Sequence, residues 1–69
     1  MILKLSENNL KKYRVELDLT QDQLADKVNV SRQTINSIEN NRYIPSLILA
    51  LQLSRFFKCK VEDIFNIGE

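Results

Sequence analysis

The sequence predicts an all-α fold: a compact five-helix domain, with the two chain ends able to pair as a short two-stranded sheet. Three observations carry that expectation. Apolar residues recur at a spacing close to 3.6 along most of the chain. One glycine and one proline in 69 residues leave little of the turn punctuation that a strand-rich fold needs. A chain of this length also suits one domain, residues 1–69, and buries only about 60% of its unfolded surface, so a second copy would help stabilise it.

A first helix is expected from about Asn9 to Leu17, with Leu10, Tyr13 and Leu17 on its inner face, ended by LDLT. Thr20 and Gln23 have the spacing of a capping box, so a second helix should start at Gln21 and bury Leu24, Ala25 and Val28. The chain must then turn sharply at Asn29, a residue type that tolerates the left-handed conformation. Ser31 caps a third helix running to about Asn40, and Asn41 repeats the left-handed exit. Pro45-Ser46 starts a fourth helix, Leu47 to about Phe57. Leu47, Ala50, Ser54 and Phe57 form one stripe on it and Leu49, Leu53 and Phe56 another, with Ile48 and Leu51 adding to them. This helix should therefore lie at the centre, buried on most sides. VEDIF makes a short last helix, with Glu62 and Asp63 at its N-terminal end and Val61, Ile64 and Phe65 inward. The segments ILKLS and FNIGE alternate weakly and are the candidate strands.

Composition excludes several function classes. Hydrophobic content of 43% with 28% charged residues is that of a globular chain, and no apolar run approaches the roughly 20 residues that span a membrane. The start MILKLSENN lacks the apolar stretch and cleavage site of a secretory signal, and one cysteine cannot form an internal disulfide; both point to the cytoplasm. There is no histidine, metal-ligand cluster or phosphate-cradling glycine loop, and no nucleophile beside a base, so neither catalysis nor a metal, cofactor or small-molecule ligand is expected. The net charge of +1 does not by itself suggest a polyanionic partner. Charge is nevertheless unevenly placed: from Ser31 to Lys60, five basic residues (Arg32, Arg42, Arg55, Lys58 and Lys60) face Glu39 alone.

The stretch VSRQTINSIENN, Val30 to Asn41, sets Val30, Ile35 and Ile38 against an outer face of amides and hydroxyls with one arginine. Two short helices joined by a tight turn, with the small Ala25 where they cross, describe a helix-turn-helix over residues 21–40. The segment LTQDQLADKVNVSRQTINSIENNRYIPSL resembles the Cro and lambda-type repressor family, the XRE-type helix-turn-helix regulators. The likeness runs from about Leu10 to Phe65 and implies a lambda-repressor-like fold. Asn29, Asn41 and Lys58 stand where that family commonly has glycine. Asparagine is the least costly replacement at positive φ, whereas Lys58 leaves the end of the fourth helix open.

The resemblance implies that the third helix enters the major groove of double-stranded DNA and places base reading on Arg32, Gln33 and Asn36, with Ser37 behind them. The residue types suit that task. Arginine grips guanine O6 and N7, and Gln or Asn pairs with adenine N6 and N7. Phosphate contacts are implied for Gln21, Ser31, Thr34, Asn40, Asn41, Arg42 and Tyr43, with Gln21 also bracing the first reading residue. The alternative for every one of these is an ordinary solvated side chain. Gln23 more simply closes its capping box, and Lys11 and Lys27 are read as solubilising. The resemblance also implies a structural brace between Arg14 and Glu39. Cys59 is read as a small buried hydrophobe.

One module reads half a site, so a homodimer on a palindromic operator is expected, acting as a repressor. Its interface should come from Ile48, Phe56, Val61, Ile64, Asn66 and Ile67, unless these residues only complete the core. Rival readings are an antitoxin or restriction-modification controller, and a protein-interaction module that has lost DNA binding.

Overall fold

The computed structural model describes residues 4–68. In chain order it has β1 (Lys4–Asn8), α1 (Leu10–Glu16), α2 (Gln21–Lys27), α3 (Arg32–Glu39), α4 (Leu47–Phe57), α5 (Val61–Ile64) and β2 (Phe65–Gly68). The two strands pair antiparallel, Leu5 opposite Ile67 and Asn8 opposite Phe65, with an irregularity between Leu5 and Glu7. The Asn9 N–H adds a 2.8 Å bond to the Ile64 carbonyl, so both ends of the described chain are tied beside α5.

Local chemistry accounts for most boundaries. At α2, Thr20 Oγ1 accepts from the Gln23 N–H at 3.1 Å and Gln23 Oε1 accepts from the Thr20 N–H at 2.8 Å, completing the expected box. Ser31 and Ser46 cap α3 and α4 by accepting from the Thr34 and Leu49 N–H groups, each at 3.1 Å. Asn29 and Asn41 both take φ near 58°, as the two sharp turns require. Lys58 also adopts the left-handed conformation, φ 56°, so α4 ends with the geometry a glycine would supply. A fourth left-handed residue, Asp18, was not anticipated. It turns the chain just after α1 has stopped at Glu16, leaving Leu17 outside the helix and 54% exposed instead of on the inner face.

Each helix contributes a fully buried side chain: Leu10 from α1, Leu24 from α2, Ile35 and Ile38 from α3, Leu53 from α4 and Ile64 from α5. Burying such a side chain fully contributes about 1.5–3 kcal/mol. Ala25, only 3% exposed, lets α2 and α3 approach closely, and the Val30 N–H bonds back to the Ala25 carbonyl at 2.9 Å to hold the turn. Tyr13, Phe56 and Phe57 make an aromatic edge, with ring centroids 5.5 Å apart for Tyr13–Phe57 and 5.0 Å for Phe56–Phe57.

Two expectations are corrected here. α4 buries Leu49, Ala50, Leu53 and Ser54 on one side but leaves Leu47 and Ile48 at least 70% exposed, because no element covers its outer face. It borders the core and is not its centre. Ile64, expected on a dimer surface, is wholly enclosed by this chain's own core and has no surface to offer.

Left-handed Lys58 carries a steric penalty that glycine avoids, partly offset by glycine's freer unfolded chain. Lys58→Gly should raise stability by about 0.5–1 kcal/mol, seen as a higher midpoint in thermal melting followed by circular dichroism. Half-buried Cys59 packs on the core, and burial pushes its thiol pKa up. Less thiolate is then present near pH 8. Iodoacetamide should alkylate the native protein more slowly than the urea-unfolded chain, with the gap narrowing as pH rises through the elevated pKa.

Candidate nucleic-acid interface

α3 has two unlike faces. Ile35 and Ile38 are completely buried, and on the opposite side Arg32 and Gln33 are exposed while Thr34, Asn36 and Ser37 are half-exposed. The surface over this helix is a chain of shallow clefts. One of about 360 Å³ is lined by Ser31, Gln33, Thr34, Ser37, Arg42 and Tyr43. Gln33 is shared with a second, which also touches Arg32 and Asn36. Arg32 is shared with a third, bounded by Arg14, Thr20, Gln21 and Asp22. The result is one polar, open band running from the start of α2 across α3 to Tyr43.

The band brings together all four expected base readers and five of the seven expected phosphate contacts: Gln21, Ser31, Thr34, Arg42 and Tyr43. Asn40 and Asn41 lie outside it, at the end of α3. The Asn40 side chain bonds back to the Asn36 carbonyl at 2.9 Å, and Asn41 makes the turn that lets the Arg42 N–H reach the Ser37 carbonyl at 2.9 Å. The Ser31 and Thr34 hydroxyls bond each other at 2.9 Å beside the helix cap.

The brace is specific and largely enclosed. Arg14 Nε donates to Glu39 Oε2 at 2.7 Å and Nη2 to Oε1 at 3.2 Å, with side chains 12% and 4% exposed. Arg14 Nη1 also donates to the Leu19 carbonyl at 2.8 Å, tying the loop before α2 into the same joint. Four further contacts add to it, and the brace that the resemblance implies from Gln21 to the first reading residue falls instead on Asn36. Gln21 Nε2 donates to Glu39 Oε1 at 3.1 Å, and Asn36 Nδ2 donates to Gln21 Oε1 at 3.4 Å, so Gln21 braces Asn36 from the body side. Asn8 Oδ1 accepts from the Leu10 N–H at 2.9 Å while its Nδ2 donates to the Ile38 carbonyl, clamping the start of α1 to the end of α3. The pair Asn8-Asn9 just before α1 is the signal for the first of these bonds. Nothing in the spacing indicated the second.

Of the expected dimer residues, Ile48 is exposed, Phe56 and Val61 pack partly on the core, Asn66 is half-buried in β2, and the Ile67 side chain lies outside the described residues. Among the described residues the large exposed apolar side chains are Val15, Leu17, Tyr43, Ile44, Leu47, Ile48 and Leu51, of which Leu47, Ile48 and Leu51 belong to α4 and Ile44 to the loop before it. Beside these last four is an apolar cleft of about 380 Å³ lined by Ile44, Pro45, Leu47, Ala50, Val61, Glu62 and Phe65. Among the described residues no helix is long and apolar enough to cross a membrane.

A tight two-helix unit with a polar outer face on its second helix defines a DNA-binding helix-turn-helix, and comparison with known proteins agrees. The helix-turn-helix family model matches residues 10–64. The chain is 54% identical over 59 residues to an uncharacterized HTH-type transcriptional regulator of Methanocaldococcus jannaschii, covering 86% of this chain and 89% of that one. It is 40% identical over 63 residues to the HTH-type transcriptional regulator YgzD of Bacillus subtilis, covering 91% and 96%. Among solved structures, the transcriptional repressor LexA from Eubacterium rectale superposes with a TM-score of 0.75 at 29% identity, over 80% of this chain and 58% of that one. The transcriptional regulator VanUg matches in fold, with a TM-score of 0.76 at 24% identity over 99% of this chain and 89% of that one. This chain belongs to the XRE-type helix-turn-helix family and is a transcriptional regulator with a helix-turn-helix DNA-binding domain.

Removing one member of a buried ion pair leaves the other charge uncompensated. Arg14→Ala should lower the unfolding free energy by about 3 kcal/mol in urea titration. A loss below about 1 kcal/mol would mean that the pair behaves as an exposed one.

Proposed function

We propose that the chain acts as a homodimeric repressor, binding a palindromic operator and blocking a promoter by occupancy. Arg32, Gln33, Asn36 and Ser37 read base edges. Gln21, Ser31, Thr34, Arg42 and Tyr43 hold the phosphates on either side, with Asn40 and Asn41 as outlying contacts. The observation that carries this reading is the continuous polar band. Its amides, hydroxyls and arginines are the groups that pair with base edges and phosphate oxygens, and it lies on a helix whose other face is locked in the core. No reaction is assigned to the protein, and its site of action is the cytoplasm.

For the dimer surface we favour the stripe Ile44, Leu47, Ile48 and Leu51 over the residues around β2. Large apolar side chains left this exposed and close together in the chain are the kind of surface that marks an interaction site. None of the stripe's residues lines the clefts of the polar band, so pairing across it can leave the reading face free. The same stripe also suits a different protein partner, as an antitoxin or an interaction module would require. Ile48→Glu tests this choice by sedimentation: a dimer that becomes monomeric supports self-pairing, whereas a wild-type monomer at micromolar concentration points to a different partner.

DNA binding is tested by anisotropy against an operator selected from random duplexes, over a range of salt. The logarithm of affinity should fall linearly with the logarithm of salt, by about 0.9 per phosphate contact, and Arg42→Ala should reduce the slope by about 1. Arg32→Ala should weaken discrimination at one base position by roughly 1–3 kcal/mol. Binding indifferent to salt and to both substitutions would contradict the reading.

A further inference from the structure

We infer that Glu39, acting through Gln21, sets which way round Asn36 presents its amide to DNA, and so makes Asn36 a reader of adenine. The inference rests on Asn36 being one of the base readers proposed above. It begins at the carboxylate. Both oxygens of Glu39 are held by Arg14 at 2.7 and 3.2 Å, and a carboxylate offers only acceptors. Gln21 must therefore turn its NH2 group to Glu39, as it does at 3.1 Å. That choice points the carbonyl Oε1 of Gln21 the other way, toward Asn36, where it can only accept. Asn36 supplies the donor through Nδ2 at 3.4 Å. Its Oδ1 and its second Nδ2 hydrogen are left for the cleft it shares with Arg32 and Gln33.

One acceptor beside one donor is the complement of adenine, whose major-groove edge offers the N6 amino group and N7. With the amide reversed, Oδ1 would face Gln21 and both remaining hydrogens would face the groove. That edge suits the two acceptors of guanine, O6 and N7. A single carboxylate behind the helix thus selects between two bases it does not touch, and Gln21 and Glu39 are positioning residues.

Glu39→Gln tests this without a change of shape. The new amide must turn its NH2 group toward either Arg14 Nε or Arg14 Nη2, so Gln21 meets an acceptor in one orientation and a donor in the other. Gln21 is then no longer held to one orientation, and neither is Asn36. Selection of bound duplexes from a random pool by the wild type, Asn36→Ala, Glu39→Gln and Gln21→Met reads out every base position separately. The wild type should choose adenine at one position of each half-site, the position that Asn36→Ala alone makes featureless. Glu39→Gln should erode the adenine preference there and admit guanine. Gln21→Met breaks the relay but leaves the ion pair whole, so it decides the matter if Glu39→Gln fails to fold. It should erase most of a roughly 5- to 150-fold preference for adenine over guanine at that position alone. A lost phosphate contact would instead weaken all sequences alike. Full adenine preference in Gln21→Met, or guanine at this position in the wild type, overturns the relay while leaving Asn36 a reader. If Asn36→Ala changes no position, the reader assignment itself fails, and the relay with it.

Discussion

The ion pair between Arg14 and Glu39 joins the three elements on which the interface depends. Arg14 belongs to α1, Glu39 ends α3, and the third nitrogen of the same guanidinium holds the Leu19 carbonyl just before α2. An eight-residue helix such as α3 is too short to persist alone in water, so its position comes entirely from what holds it. Ile35 and Ile38 press its inner face into the core. Glu39 and the Asn8 clamp on the Ile38 carbonyl fix its far end, and Ser31 fixes its near end. Alternative packings that keep the apolar contacts but break the pair leave a charge inside the protein, so the joint restricts α3 to one orientation.

That restriction links structure to recognition. Base reading needs donors and acceptors held to within a fraction of an ångström, and flexible glutamine and asparagine side chains supply such accuracy only when their own amides are occupied. Here the occupied amides are those of Gln21, which donates to Glu39, and Asn36, which donates to Gln21. Arg32 and Gln33, at the exposed start of the helix, have no comparable support among the hydrogen bonds of the described residues. They are adaptable, while Asn36 is held.

Much of this was legible in the sequence because the signals were local. Thr20 with Gln23, Ser31, Ser46 and the left-handed Asn29 and Asn41 each act within three or four residues, and each appears where its chemistry required. What could not be read was long-range. Apolar spacing shows that α4 has several apolar faces but not which one another element covers, so it puts Leu47 and Leu51 inward although they lie outward. Ile64, inward by helical period and also a candidate for the dimer surface, is taken up wholly by the core. Leu17 fits the helical period but sits beyond the helix, because Asp18 turns the chain first. The contacts of Gln21 with Glu39 and Asn36 span 18 and 15 residues and leave no trace in periodicity.

The central claim is that the polar band over α3, held from behind by Arg14 and Glu39, is the surface that meets DNA. Titration of the 15N-labelled protein with a selected duplex, followed amide by amide by NMR, tests it most directly. The largest shifts should fall on Gln21, Ser31 to Ser37, Arg42 and Tyr43, and saturate with the binding curve. Saturated binding that leaves Arg32 to Asn36 unmoved would contradict it.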